Sequence, residues 1–206
     1  MKLTKALLVI LALGLFLTSC QKDSDPVANT NDKLFGTWNF IGMTASVKNT
    51  IVAGTGVDQE KMITSYPITA ANPTGTVTID SKNIKTSGIS YSFETTVKSQ
   101  FYLGGSLEDT FDDPFEGTMP ASSATTTYKT VGTDSIHLES GLITFDQTAG
   151  GMSGIPQQTI PQDFKISWEN DVLVLTFAIT HNMMQVINGF DAQVQIQATQ
   201  VIRLKK

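Results

Sequence analysis

"YSFETTVKSQFYL", Tyr91–Leu103, alternates along its whole length. Tyr91, Phe93, Thr95, Val97, Ser99, Phe101 and Leu103 fall on one face, and Ser92, Glu94, Thr96, Lys98 and Gln100 on the other. Successive side chains of an extended chain point to opposite sides, so this stretch reads as a long strand with a core face and a water face. The C-terminal stretch repeats the pattern, with Ala192, Val194, Ile196 and Ala198 opposed by Gln193, Gln195, Gln197 and Thr199. Shorter strands are expected at Gly75–Asp80, Thr125–Thr130, Ser135–Glu139, Leu142–Asp146 and Phe164–Trp168. Asp171–Thr180, "DVLVLTFAIT", is apolar on both faces, which predicts a strand covered on both sides. Asn170-Asp171 before it reads as the central pair of a tight hairpin turn.

Helical periodicity is nearly absent. A turn or two is expected around Val57–Ile63, and the Gly, Pro, Ser and Thr clusters at Asn72–Thr76, Phe111–Ser123 and Ala149–Pro161 read as long loops. About ten antiparallel strands following one another in sequence fit an all-β domain. Either an up-and-down β-barrel, which abolishes sheet edges, or a two-sheet β-sandwich would satisfy the pattern.

The N-terminus carries a different signal. Lys2 and Lys5 precede "ALLVILALGLFL", Ala6–Leu17, an apolar run of 12 residues. That is short for a bilayer span, which takes roughly 20 residues, and matches the core of a secretory signal. Leu17-Thr18-Ser19-Cys20 resembles the bacterial lipobox, with a branched apolar residue and two small ones before a cysteine. The thiolate of Cys20 is the nucleophile that would accept a diacylglyceryl group as a thioether. Residues 1–19 are therefore expected to be a lipoprotein signal peptide. Residues 20–32 are the lipidated cysteine and a flexible tether, and residues 33–206 are the β domain.

Cys20 is the only cysteine, so the domain contains no disulfide of its own. Without Lys2 and Lys5, 12 basic residues stand against 19 acidic ones, a mature balance of −7. An acidic chain with no basic block is a poor nucleic-acid binder, because phosphate must be neutralised. It is equally ill suited to lie on anionic lipid, leaving the anchor on Cys20 as the membrane attachment.

"KLFGTWNFIGMT", Lys33–Thr44, sets Leu34, Gly36 and Trp38 in an L-x-G-x-W order. This resembles the first strand of lipocalin-like proteins, including the lipocalin-like lipoproteins of Bacteroidota. The resemblance implies that Gly36 lets the chain turn into the first strand and that Trp38 plugs the closed end of a barrel. It also implies an arginine packed across the tryptophan, and Arg203, the only arginine, stands near the chain end. Strict alternation from Ala192 nevertheless puts Arg203 on the face opposite Ile202 and Leu204, so a bulge would be needed to bring it over Trp38. In the same lineage, Gln21, Lys22, Asp23 and Asp25 after the cysteine resemble an export signal for the outer face of the outer membrane. An ordinary charged tether on the periplasmic side is the alternative.

Chemistry-bearing residues are sparse. His137 and His181 lack metal-type spacing and are read as structural. Glu108, Asp109, Asp112, Asp113 and Glu116 lack the ligand order of a calcium loop and are read as a solvated acidic loop. Phe111 and Phe115 within it are placed either over a barrel mouth or on an exposed patch. Met183-Met184 reads as an apolar hairpin tip. There is no nucleophile elbow and no phosphate-binding glycine loop, so neither catalysis nor a cofactor is expected. The sequence thus points to a lipid-anchored, non-catalytic module holding a small apolar or glycan-derived ligand. The alternative is an accessory subunit with a side-chain-filled barrel and an outer-membrane protein partner.

Overall fold

Nine strands, β1 to β9, make up almost all of the domain in the computed structural model, which describes residues 33–139, 161–187 and 189–206. They are β1 Gly36–Ala53, β2 Glu60–Thr69, β3 Ala71–Ile79, β4 Asn83–Leu103, β5 Ser106–Val131, β6 Ser135–Leu138, β7 Gln162–Glu169, β8 Val172–Ile187 and β9 Phe190–Lys205. All pairings are antiparallel, and β9 returns to pair with β1, closing the sheet into a ring. Each of β2 and β3 lies between β1 and β4, at different heights, so the two form one stave. This is the up-and-down β-barrel, not the sandwich.

The core explains the closure. Trp38, Phe40 and Met43 of β1, Tyr91 of β4, Phe164 of β7, Leu173 and Leu175 of β8, and Ile202 and Leu204 of β9 are all buried in one cluster. Most outward positions of β4 and β9 are polar: Glu94, Thr96 and Lys98 on β4, and Gln193, Gln197 and Thr199 on β9, are exposed, although Met184 and Val186 of β8 also face outward. A membrane-spanning barrel is apolar outside and polar inside. This barrel has the opposite arrangement, so its stability comes from burying a central core.

Tyr91–Leu103 is the upper part of β4, with Tyr91 buried and Glu94, Thr96 and Lys98 exposed as the alternation requires. The Asn170-Asp171 turn is also as expected, with Glu169 paired to Val172 and Asn170 at φ 58°. Two-sided cover of Asp171–Thr180 is local. Val174 faces outward and is buried, whereas Ala178 and Thr180 on the same face are not.

Several expectations are corrected. Phe111–Ser123 is not a loop but the body of β5, registered against β4 through Thr95–Phe115 and Tyr91–Met119. The ladder offered by β4 outweighs the poor strand propensity of Asp, Gly and Pro. Pro114 is tolerated because, among the described residues, the other edge of β5 there pairs with nothing. Val57–Ile63 holds only a 3₁₀ turn, Gly56–Asp58, before β2 begins. A helix that short is marginal, whereas β1 and β4 both offer edges. Asn72–Thr76 lies in β3, where the ladder shifts register twice. There Gly75 has φ +103°, and a Cβ on it would meet the backbone carbonyl oxygen of Gly88 at 2.6 Å. Met183-Met184 is no hairpin tip, since β8 continues to Ile187. Residues 1–19, Cys20, Gln21, Lys22, Asp23, Asp25, the strand expected at Leu142–Asp146 and nearly all of Ala149–Pro161 lie outside the described residues.

Candidate functional site

The two ends of the barrel differ. At one end Trp38 is 2% exposed, and its indole N–H donates to the carbonyl oxygen of Leu34 at 2.9 Å. Trp168 packs against it with ring centroids 5.7 Å apart. The cation over its face is Lys206, whose Nζ lies 4.5 Å from the ring centroid. Gly36 beside it has φ +127°, a backbone conformation that residues with a Cβ rarely adopt. Arg203 does not reach Trp38. It points outward and binds Glu169 with Nε–Oε2 3.2 Å and Nη2–Oε1 3.4 Å, crossing β8 beside the buried Val174. A bulge does occur, but on β1 between Phe40 and Gly42, and the alternation of β9 stays intact. Trp38 is thus a buried ring at one end of the barrel, and the cation over it is Lys206 and not Arg203.

Above the plug the interior is filled. Phe40, Tyr91, Phe93 and Phe115 form a chain of ring contacts, with centroids 5.6–6.4 Å apart. Burial pushes the Tyr91 phenol up to about 12, so it stays neutral. Gln200, 2% exposed, donates its amide to the thioether of Met43 at 3.0 Å. A polar layer comes next, containing the buried Asn49 and Thr64, with Thr64 Oγ1 3.4 Å from Ser99 Oγ.

Beyond that layer lies a pocket of ≈ 510 Å³. Its walls are Ile51, Ala53, Met62, Phe101, Ile187 and Ala192, with Phe190 at its edge and Asp58 and Glu60 also lining it. The register explains the convergence. Ala53 stands opposite Glu60 and Ala192, and Ile51 opposite Met62, which is itself opposite Phe101. These residues therefore share the inner face of β1, β2, β4 and β9. The 3₁₀ turn packs on the β4–β5 hairpin through the Gly104 N–H, which donates to the Gln59 carbonyl at 2.9 Å. A Cβ on Gly104 would meet the Val57 carbonyl oxygen at 2.9 Å, so this contact needs glycine.

The residues singled out from sequence do not converge on the pocket. His137 is on β6, with Nδ1 2.7 Å from Oδ1 of Asp163, a cross-strand pair on the outer face. His181 lies in β8 opposite Ile196. Glu108, Asp109, Asp112, Asp113 and Glu116 are spread along β5 and not gathered in a loop. Phe115 turns inward onto Phe93, and Phe111 is half exposed. Among the described residues no group of three or more His, Cys, Asp and Glu could hold a metal ion. Phe101 was legible as inward-facing from its alternation. Met62 and Glu60 were not, because β2 lacks a clean pattern, and Lys206 carries no signal at all.

No protein-family model matches the chain, and no curated protein matches it. A solved structure, the translocator domain of autotransporter NalP from Neisseria meningitidis, aligns over 96% of this chain and 96% of its own, at 8% identity and a TM-score of 0.26. At that score the likeness says nothing about what this chain does.

Proposed function

We propose that the chain is a lipid-anchored cell-envelope lipoprotein whose lipocalin-like barrel is a non-catalytic carrier, enclosing a small apolar or glycan-derived ligand at its hairpin end. One observation carries the reading: a pocket of ≈ 510 Å³, walled by apolar side chains from five strands, above a core that is otherwise filled. That volume is in the range of small-molecule sites, which are concave, mostly apolar and largely preformed. Binding is by enclosure, with apolar surface leaving water at roughly 25 cal/mol per Å². Among the described residues, those lining the pocket include no serine, histidine or cysteine.

Native mass spectrometry of residues 33–206, purified from the natural host, tests this. The segment contains all nine of the described strands and the core cluster they form. A retained small-molecule mass is expected. A bare mass with a co-purifying protein would support the accessory-subunit reading instead.

The anchor and the location rest on the sequence: the lipobox-like Leu17–Cys20 and the Gln21, Lys22, Asp23, Asp25 stretch after it. The reading places the domain on the outer membrane, facing the cell surface. A Cys20→Ser variant is expected to leave the membrane fraction, and persistent membrane association would refute the anchor. Protease added to intact cells is expected to remove the barrel, whereas survival until the outer membrane is broken would place it on the periplasmic face.

A further inference from the structure

We infer that the pocket takes a cationic amphiphile: a molecule with a hydrocarbon body and an ammonium or amidinium head, not a fatty acid. The inference rests on the carrier reading and names its ligand class. Three observations support it. Among the described residues the pocket is apolar except for Asp58 and Glu60, and no lysine, arginine or histidine lines it. Glu60 sits on the inner face of β2 at the mouth, between Ala53 of β1 and Leu103 of β4. Asp58 lies beside it in the 3₁₀ turn.

Among the described residues, neither carboxylate pairs with a protein cation. Ion pairs among the described residues include Lys129–Glu139, His137–Asp163, Lys165–Asp134, Arg203–Glu169 and Lys205–Asp171, all within β5 to β9 and the segments that flank these strands, toward the Trp38 end. Lys61, the cation nearest in sequence, instead has its Nζ 4.0 Å from the Tyr102 ring centroid. Asp58 and Glu60 are thus available to a ligand head.

The whole hairpin end adds a field of the same sign. The segments 44–69, 92–118 and 177–200 hold nine carboxylates and three lysines, a balance of −6. The other described segments hold six carboxylates and eight cations, a balance of +2. A mouth lined by one sign of charge raises the local concentration of the opposite ion and disfavours like charge. An anionic head would meet Asp58 and Glu60 with no cation in the lining to receive it, whereas an ammonium would meet two acceptors as its tail enters the walls.

Competition with a neutral apolar dye on residues 33–206 tests this at neutral pH, using decylamine, decanol and decanoate below their aggregation concentrations. The amine is protonated and the acid ionised there, so the three differ in head charge over one tail. Decylamine is expected to bind at least about tenfold more tightly than decanoate, a gap of about 1.4 kcal/mol. In an Asp58→Asn/Glu60→Gln variant that gap should close to about twofold with decanol unchanged. The gap should also narrow in high salt, since exposed charges are screened. Equal binding of amine and acid, or a preference for decanoate, overturns the cationic class and leaves the carrier reading standing. An amine preference that survives the double variant overturns the assignment to Asp58 and Glu60. Failure of all three probes and of the dye to bind would overturn the carrier reading itself.

Discussion

Removing the cation over Trp38 distinguishes the observed plug from the one the lipocalin-like resemblance implies. Trp38 is 2% exposed, bonded to Leu34 and in ring contact with Trp168, so Trp38→Leu loses a buried hydrogen bond and much of a large ring. Aromatic-to-alanine changes in cores cost about 3–5 kcal/mol, and leucine refills part of the space, so about 2–3 kcal/mol is expected. Lys206→Ala removes an ammonium 4.5 Å from the ring centroid, at a cost of about 0.5–1 kcal/mol. Arg203→Ala breaks a partly exposed pair with Glu169, at about 0–1 kcal/mol. Domains of this kind have about 5–15 kcal/mol of stability, so the single and double variants should remain folded.

The informative quantity is the coupling, read from urea unfolding followed by far-UV circular dichroism. The Trp38/Lys206 cycle should show about 0.5–1 kcal/mol, because the lysine contributes little once the ring is gone. The Trp38/Arg203 cycle should be additive to within about 0.3 kcal/mol, because Arg203 engages Glu169 on the outer face. Coupling at Arg203 with none at Lys206 would refute this account of the plug.

Gly75→Ala should destabilise the barrel by more than about 1 kcal/mol, because φ is +103° and the new Cβ would meet the Gly88 carbonyl oxygen at 2.6 Å. Gly56→Ala has open space around its Cβ and supplies the control, with only the strain of its φ of +64° to bear. Ala53→Trp should fill the pocket and abolish binding of a neutral apolar dye while leaving the thermal midpoint within about 5 °C; undiminished dye binding would move the site elsewhere. Acid should act through Asp80, whose Oδ1 accepts from the N–H groups of Lys82 and Asn83 at 2.8 Å each. Those bonds hold its carboxyl below the usual 3.8, so the unfolded chain takes the proton first. The contribution is complete above the unfolded value and is lost as pH falls through the depressed native value. Urea midpoints measured downward from about pH 5 should fall less steeply in Asp80→Asn than in the unmodified protein, and equal slopes would remove Asp80 from the acid response.

Features set by local pattern were legible in the chain alone. Period-two alternation at Tyr91–Leu103 and Ala192–Thr199 requires extended chain with one apolar face, whatever the partner strands are. The Asn170-Asp171 pair specifies a hairpin because an asparagine tolerates the positive φ that the turn demands. The side that Arg203 faces was equally legible, since alternation sets a direction without knowledge of neighbours.

Everything that depends on register was settled by the folded barrel. Phe111–Ser123 has the composition of a loop and becomes strand only because β4 presents a long unpaired edge to it. Val57–Ile63 has no pattern of its own, and the competition between helix and strand there is resolved by edges on both sides. The pocket is the clearest case. Ile51, Glu60, Phe101 and Ala192 are scattered through the chain and share one wall because antiparallel pairing sets them side by side. Lys206 likewise meets Trp38 because closure of the ring brings the end of β9 beside the start of β1. Pairing register is a property of two strands together, and a single strand read alone does not contain it.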